Sequence, residues 1–349
     1  MKSKAYFVTV LAVVLGLISV IALFPATQAQ SAHRKVVLEI RTSAFGSGAY
    51  EVGLAWEQII NKSGHPWLSA TCQETLGGAA NVMMVCDKLR AEKKKRTIFV
   101  AGASSYYASK NKLKPFKRSY AGEFLGIALM GGVCVGFITL DPNINTPKDL
   151  VGKKVAFGPA KHTASVWATK FFNDVWGLKG KVKIEYMSFP GSADALRDGL
   201  VDVCMLHSEI AKPAPIPRKA WKELVETKKD KFHFISVSKE DVKKLGKILG
   251  YPAGYLEIPA KAYGAGQTKP AGTVNGYSSS WWAVREADKE LVYEALKLAF
   301  DNVAKFKEYL GPVGAFDPQE FANLPITEAE FHPGALKFYK ERGIKAGTL

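Results

Sequence analysis

The residues of this sequence that are best suited to chemistry lie in short loops rich in glycine, serine and aromatic residues. The first loop, 42–51, follows the β-branched run 36–41, which predicts a strand. Apolar residues then recur at helical spacing over 52–60, which predicts a helix. The first amides of a helix have no partner inside it, and the helix dipole is positive there. The loop therefore offers a place for an anion or a carboxylate, although an ordinary strand-to-helix turn has the same pattern.

Two further loops repeat this arrangement. The predicted strand 68–75 ends in the loop 76–81, and the predicted strand 97–101 ends in 102–107. Ligands of open parallel sheets bind outside the carboxyl ends of the strands, so the three loops are expected to line one wall of a site. The candidate ligand-binding residues on this wall are Ser47, Gly48, Tyr50, Asn81, Ser104, Ser105 and Tyr106. Two alternatives stay open: Tyr50 as an aromatic at the edge of the core, and Asn81 as a helix cap.

A later part of the chain predicts the opposite wall. The strand 154–157 is followed by the turn 158–163, then by a helical pattern over 164–175. Another strand ends at the triplet 207–209. The candidates on this wall are Lys161, Thr163, Ser165, His207 and Glu209. Lys161 or His162 would add positive charge, although Lys161 also fits a solvated loop. Glu209 would repel a second carboxylate and so favours a ligand with an amine or a hydroxyl.

The order of the elements predicts the architecture. Alternating strands and helices indicate parallel α/β sheets, and the uncharged extended runs 124–139 and 273–284 indicate two crossings between two lobes. The predicted first lobe comprises 30–135 plus 280–349, and the second comprises 136–279. The other predicted elements are strands at 182–187, 201–206 and 232–237, helices at 192–198, 289–310 and 336–341, irregular chain at 211–218 and a loop at 251–272.

The first 29 residues have the pattern of a signal peptide. Lys2 and Lys4 precede an apolar run from Phe7 to Phe24, and Thr27 and Ala29 suit signal peptidase, so cleavage after Ala29 is expected. A retained membrane anchor is the alternative, but the run is short for a spanning helix. The prediction is export to a periplasm.

Composition and charge restrict the class of protein. The chain has 349 residues, of which 47% are apolar and 23% charged, as in globular proteins. The net charge of +16 enriches anions near the surface. The densest basic run, Lys93–Arg96, precedes a strand and fits a solvated helix end. No nucleic-acid-binding signature is present, so no nucleic-acid partner is expected.

Motifs for metals, cofactors and catalysis are absent from the sequence. The four cysteines show no Cys or Cys/His metal spacing. Cys72 and Cys86 could form a disulfide after export, or the cysteines could remain buried thiols. No GxSxG, HExxH, GxGxxG or P-loop motif occurs. We therefore predict neither an enzyme nor a cofactor nor a metal site; a periplasmic hydrolase is the least favoured alternative.

Six stretches, in order over the mature chain, resemble the TAXI family of solute receptors for tripartite ATP-independent periplasmic (TRAP) transporters. The stretches at 149–158 and 195–202 also occur broadly among type II binding proteins, whereas Ile-Pro-x-x-x-Tyr at 258–263 and His-Pro-Gly-Ala at 332–335 are specific. The stretches are 45–50, 77–81, 149–158, 195–202, 258–263, and 332–335 followed by Tyr339 and Glu341.

The resemblance implies a type II-like periplasmic binding protein of two α/β lobes, with a ligand cleft between them and extended hinge strands. It implies a monomer that binds a small organic anion, such as glutamate, a 2-oxoacid or another carboxylate, and delivers it to TRAP membrane subunits. Service to an ABC transporter or a sensor kinase is the alternative, because these receptors share the fold. The chain departs from the family pattern at 44–47, 93–96 and 159–162, so the ligand stays open.

Overall fold

The computed structural model describes residues 35–210, 215–250, 253–314 and 316–348. The predicted signal peptide, 1–29, lies outside the described residues, as does the part 211–214 of the predicted irregular stretch. The strands are β1 Val36–Arg41, β2 Leu68–Gln73, β3 Thr97–Val100, β4 Phe124–Thr139, β5 Lys154–Phe157, β6 Lys183–Tyr186, β7 Val203–Glu209, β8 Ile216–Pro217, β9 His233–Ile235, β10 Gly254–Ile258 and β11 Ala271–Val284.

The helices alternate with the strands in most of the chain. They are α1 Gly48–Lys62, α2 Gly78–Met83, α3 Ala91–Lys94, α4 Ala103–Lys110, α5 Thr163–Lys170, α6 Phe189–Arg197, α7 Lys219–Thr227, α8 Lys239–Leu249, α9 Lys289–Asp301, α10 Val303–Leu310 and α11 Pro333–Glu341. Single π-helical turns at Met84–Lys88 and Phe171–Val175 extend α2 and α5, and four short 3-10 turns occur elsewhere in the described ranges.

One mixed sheet runs through the described residues in the order β2-β1-β3-β11-β4-β7-β5-β6. The pairs of β1 with β2 and β3 are parallel, and so are those of β5 with β6 and β7. Between these two parallel groups, β11 and β4 pair with each other and with their outer neighbours in antiparallel fashion. The predicted parallel α/β units therefore lie on either side of two long central strands.

The strands β4 and β11 each contribute to two separate hydrophobic cores. On β4, side chains as far as Met130 pack into the first core, and those from Val133 onward pack into the second. On β11, Ala271 and Val274 belong to the second core, whereas Trp281 and its neighbours belong to the first. The fold is therefore two α/β lobes joined by two extended strands, as the sequence predicts; the boundaries at 135/136 and 279/280 stay a prediction.

Aromatic clusters fill both cores. In the first lobe, Trp56 of α1 packs edge-to-face on Trp281, with ring centroids 5.3 Å apart, and its indole N–H donates to Ala295 O at 3.0 Å. In the second lobe, Phe137 packs edge-to-face on Phe172 at 4.7 Å. Fully burying such a side chain contributes about 1.5–3 kcal/mol. These rings therefore fix α1 and α5 on the sheet, and with them the loops at the helix starts.

The structure differs from the prediction near the end of the chain. The single helix predicted over 289–310 is two helices, because Asn302 has non-helical backbone angles and its amide donates to Leu298 O at 3.0 Å. Asparagine competes in this way with the helical bonds of the backbone. The loop predicted at 251–272 contains β10, which pairs with β11; tertiary pairing overrides its glycine- and proline-rich sequence.

The four cysteines are free thiols, so Cys72 and Cys86 are not paired. Burial raises the pKa of the Cys72 thiol to about 11, which keeps it protonated at neutral pH. Within the ranges that the structure describes, no helix has the length and apolar character needed to cross a bilayer.

Candidate functional site

A cavity of ≈ 70 Å³ lies where the loops after β1, β2, β3 and β5 approach the end of β7. Residues of both lobes line it, so it is the interlobe cavity. The described residues around it are Ser43, Ser47, Gly48, Ala49, Gly78, Val100, Gly102, Ser105, Val133, His162, Ala164, His207 and Ser279.

The amino-terminal ends of three helices face this cavity. The helix α1 begins at Gly48, because the Ser47 hydroxyl accepts a hydrogen bond from Tyr50 N at 3.3 Å and so caps it. The helix α4 begins after Gly102 without a side-chain cap. The helix α5 begins after His162. Unpaired amides and the positive ends of the helix dipoles therefore converge from both lobes.

His162 joins the two lobes. Its Nδ1 accepts a hydrogen bond from Ala164 N at 3.1 Å, and its Nε2 lies 2.8 Å from the Ser43 hydroxyl. A ring whose Nδ1 accepts carries its proton on Nε2 when neutral, so Nε2 donates to Ser43. Burial lowers the pKa of His162 to about 4, which keeps the ring neutral at neutral pH. The second lobe thus closes on the first through this bond.

The same geometry argues against nucleophilic catalysis by Ser43. A histidine that activates a serine must accept the hydroxyl proton on an unprotonated nitrogen. The Nε2 of His162 already carries a proton, and its Nδ1 is occupied by Ala164 N. The pair is therefore a contact between the lobes and not a nucleophile with its base.

His207 forms part of the cavity wall from the second lobe. Its ring stacks on Trp221 with centroids 5.2 Å apart and also packs on Phe189. The side chain is 5% exposed, and its Nε2 has no hydrogen-bond partner among the described residues. Burial, assisted by His162 and Arg218, lowers the pKa of His207 well below its usual value. The wall thus includes a neutral imidazole ring, one nitrogen of which makes no hydrogen bond to the described residues.

An ion network lies behind the cavity. Arg218 is fully buried; its guanidinium donates to Glu209 in the same lobe and to Glu51 of the first lobe, the latter at 3.4 Å. Glu209 also accepts a hydrogen bond from Gly132 N at 2.9 Å. Burial raises the pKa of Glu209 and of Glu51, and Arg218 acts in the opposite direction. The network thus ties α1 to the second lobe and to the crossing strand β4.

Glycine is required where the crossing strand meets this network. Gly131 has φ +84°, a left-handed conformation that side chains rarely adopt, and a Cβ there would lie 2.2 Å from Glu209 Oε1. The residue stands between the part of β4 that packs in the first core and the part that packs in the second. Glu209 therefore contacts the chain at the point where it passes between lobes.

Four of the predicted site residues come together in the interlobe cavity, namely Ser47, Gly48, Ser105 and His207. Tyr50 lies elsewhere, on the wall of a larger outer groove of ≈ 1470 Å³ between α1 and the helices α6 and α7, where it packs edge-to-face on Phe45. Residues of this outer groove come from both lobes as well.

Asn81 and Tyr106 have structural contacts. The Asn81 amide is buried and donates to Thr42 O at 2.8 Å and to Val100 O at 3.0 Å, so it joins the ends of β1 and β3 and does not cap a helix. The ring of Tyr106 stacks on Trp282 at 4.4 Å, and its hydroxyl donates to Glu330.

The remaining predicted residues lie around the cavity and not on its described wall. Lys161 is exposed, and Thr163 is the first residue of α5. Ser104 and Ser165 are buried, and their hydroxyls have no partner among the described residues. Glu209 belongs to the ion network.

The sequence prediction does not include four residues of this region. Ser43 and Ser279 line the cavity, and Glu51 and Arg218 belong to the ion network of Glu209. Ser43 is the second residue after β1, so the strand-end rule applied to its loop was sufficient to include it. No local signal marks Arg218, because it follows the proline-rich stretch and its partner Glu51 lies 167 residues earlier.

The two stretches most specific to the resemblance stabilise the lobes. The Tyr263 hydroxyl donates to Ser208 Oγ at 2.6 Å, which fixes the end of β7. His332 is fully buried and caps α11 through its Nδ1, which accepts from Gly334 N at 3.2 Å. The Tyr339 hydroxyl donates to Ile127 O at 2.8 Å and holds α11 on β4.

Comparisons with known proteins identify a family and a fold. A family model described as the NMT1-like family matches residues 40–343. No curated protein matches the chain in sequence. The solved structure of MatC from Rhodopseudomonas palustris with bound malate is similar at a TM-score of 0.50 and 14% identity, covering 91% of this chain and 97% of that one. The periplasmic binding protein BugD is similar at a TM-score of 0.50 and 15% identity, covering 93% of this chain and 100% of that one.

Among the described residues, no group of three or more His, Cys, Asp or Glu side chains is placed to hold a metal ion.

Proposed function

The chain belongs to the NMT1-like family, and on this basis we propose that it is a periplasmic solute-binding receptor of a TRAP transporter. The proposed solute is a small organic anion, bound between the lobes and delivered to the membrane subunits. Export through the signal peptide 1–29 and action as a monomer are parts of the same proposal.

One observation carries the proposal: helix amino termini from both lobes, together with serine hydroxyls, surround one interlobe cavity. Such amides bind carboxylates and other oxyanions. A ligand that contacts both lobes stabilises their closed arrangement, and the extended strands β4 and β11 supply the connections about which the lobes can rotate. The malate in MatC, a protein of similar fold, agrees with an anionic solute.

The proposed ligand residues on the first lobe are Ser47, Gly48 and Ser105, and His207 faces them from the second. Tyr50, also predicted as a ligand residue, lines the outer groove and not this cavity.

Ligand screening of the purified protein tests the proposal. Thermal-shift and calorimetric titrations with monocarboxylates, 2-oxoacids, dicarboxylates, sulfonates and amino acids are expected to identify a stabilising acid, because a ligand raises apparent stability by mass action. Stabilisation by a neutral or cationic solute alone, with no response to any acid, would contradict the proposal.

Matched variants separate binding from folding. Ser47→Ala is expected to lower affinity about tenfold and to lose about 1 kcal/mol of stability with its cap. Ser188→Ala removes the equivalent cap of α6 on an exposed loop and is expected to lose only the stability. Equal affinities of the two variants would remove Ser47 from the site.

Transport measurements test the TRAP assignment. With membrane subunits of a TRAP transporter in proteoliposomes, the receptor is expected to support solute uptake driven by an ion gradient without ATP. Uptake only with an ATP-hydrolysing transporter would assign the receptor to the ABC class instead.

A further inference from the structure

We propose that the solute is a compact monoanion of the size of a short-chain monocarboxylate, and that His207 is the side chain that recognises it from the second lobe. This inference rests on the proposed function, because it concerns the ligand of the same interlobe cavity. It narrows the solute by size, by charge and by hydrogen bonding.

The closed arrangement of the lobes limits the size of the solute. Ser43 and His162 are in direct contact at 2.8 Å, and Arg218 reaches Glu51 across the lobes. The cavity that remains is ≈ 70 Å³. Pockets for larger ligands have about 300–1,000 Å³. A solute that leaves these contacts intact must therefore be small.

The side chains around the cavity limit the charge of the solute. The described residues that line it include no Lys, Arg, Asp or Glu. A single negative charge is compensated there by the amino termini of α1, α4 and α5, each at least eight residues long. A second acidic group would find no cation of its own, because the Arg218 guanidinium, which lies over Gly48, already binds Glu209 and Glu51.

The same ion network argues against an amino acid as the solute. The ammonium group of an amino acid is costly to remove from water without a carboxylate as its ion-pair partner. Glu209 is held by Arg218 and Gly132 N, and Glu51 by Arg218. Neither carboxylate lines the cavity among the described residues. A monoanion without an ammonium group therefore matches the site better than glutamate does.

His207 supplies the independent evidence for a ligand. It lines the cavity, it is 5% exposed, and its Nε2 is without a partner among the described residues. A buried polar atom without a partner costs about 1–3 kcal/mol, and a bound solute that makes this hydrogen bond recovers that cost. The neutral ring donates to a carboxylate or accepts from a solute hydroxyl, according to its tautomer.

Calorimetric titration with a graded series tests size and charge together. The probes are acetate, pyruvate and lactate, then succinate and glutamate, then acetamide as the uncharged analogue of acetate. At least one monoanion is expected to bind about tenfold more tightly than succinate, glutamate and acetamide.

The outcomes distinguish this inference from the proposed function. Tighter binding of succinate or glutamate would overturn the compact monoanion and leave the anion receptor intact. Equal binding of acetate and acetamide would overturn the role of charge. Binding of no acid in the wider screen would instead contradict the proposed function.

The role of His207 is tested with the best probe of the series. His207→Phe keeps the stacking surface for Trp221 and removes the nitrogen; affinity is expected to fall about tenfold. His233→Phe, whose ring nitrogens bond to Ile144 O and Lys231 O outside the cavity, is the control. In the native protein, the ¹⁵N resonance of His207 Nε2 is expected to shift on titration while those of His233 stay unchanged. An unshifted His207 resonance during saturating binding would overturn its role, whether or not the variant folds.

Discussion

The Arg218 guanidinium of the second lobe lies directly over Gly48, the first residue of α1 in the first lobe. A Cβ at position 48 would lie 1.9 Å from Cζ of Arg218, a separation that excludes any side chain. Gly48 also lines the interlobe cavity. The position thus combines close approach of the two lobes with a first-turn helix amide at the cavity, and glycine permits both.

Gly48→Ala is therefore expected to oppose closure. The methyl group has no space in the closed arrangement, whereas alanine in a first helical turn is otherwise favourable. Affinity for the solute is expected to fall about tenfold, or about 1.4 kcal/mol, and the melting temperature is expected to fall as well, because Arg218 must leave its place over Gly48. Calorimetric titration and thermal unfolding measure the two effects. Gly191→Ala, within α6 and in contact only with its own neighbourhood, is the control; native affinity of Gly48→Ala would contradict the steric argument.

How far the sequence predicts this site depends on the distance between partners along the chain. The cavity loops of the first lobe follow from strand ends and helix starts, both of which are local patterns, and so Ser47, Gly48 and Ser105 are predictable. The pair of Ser43 and His162 spans 119 residues. Such contacts depend on how the lobes close, which no local pattern encodes.

The residues that were predicted as ligands but serve the fold show the same limit. Asn81 follows a strand end and has the polarity of a ligand residue, yet its amide joins two strand carbonyls. Tyr106 occupies an equivalent position, yet it faces inward onto Trp282. The direction of a side chain from a loop depends on tertiary packing, and residue type and spacing do not determine it.

Glu209→Ala is expected to destabilise the protein strongly. The variant leaves Arg218 buried without its main carboxylate, and breaking a buried ion pair on one side costs about 3–5 kcal/mol. Urea unfolding of the native and variant proteins measures the difference. The control is Glu223→Ala, which removes the exposed partner of Arg197 and is expected to cost less than about 1 kcal/mol. Similar losses for the two variants would show that the buried network contributes no more than a surface pair.

Glu51→Gln is expected to loosen the contact between the lobes. Glu51 and Arg218 form an ion pair across them at 3.4 Å, and a hydrogen bond with a charged partner contributes about 1.5–3 kcal/mol. The variant keeps the size of the side chain and removes its charge. In the absence of solute, small-angle scattering is expected to give a larger radius of gyration than for the native protein. Glu57→Gln, on the same helix, serves as the control. Identical scattering from all three proteins would show that the Glu51–Arg218 ion pair does not hold the lobes together.

Stability is expected to fall in acid because His162 is buried in its neutral form. Its pKa is about 4 in the folded chain and 6.5 ordinarily, so between these values the unfolded chain binds the proton that the folded chain excludes. The stabilisation is complete above pH 6.5 and is lost as the pH falls toward 4, by about 3 kcal/mol. His162→Asn retains a capping acceptor but does not titrate. Its unfolding free energy, measured in urea at several pH values, is therefore expected to decline less steeply as the pH falls. The difference between the two slopes is expected to correspond to about one proton. Parallel slopes would rule out this role for His162.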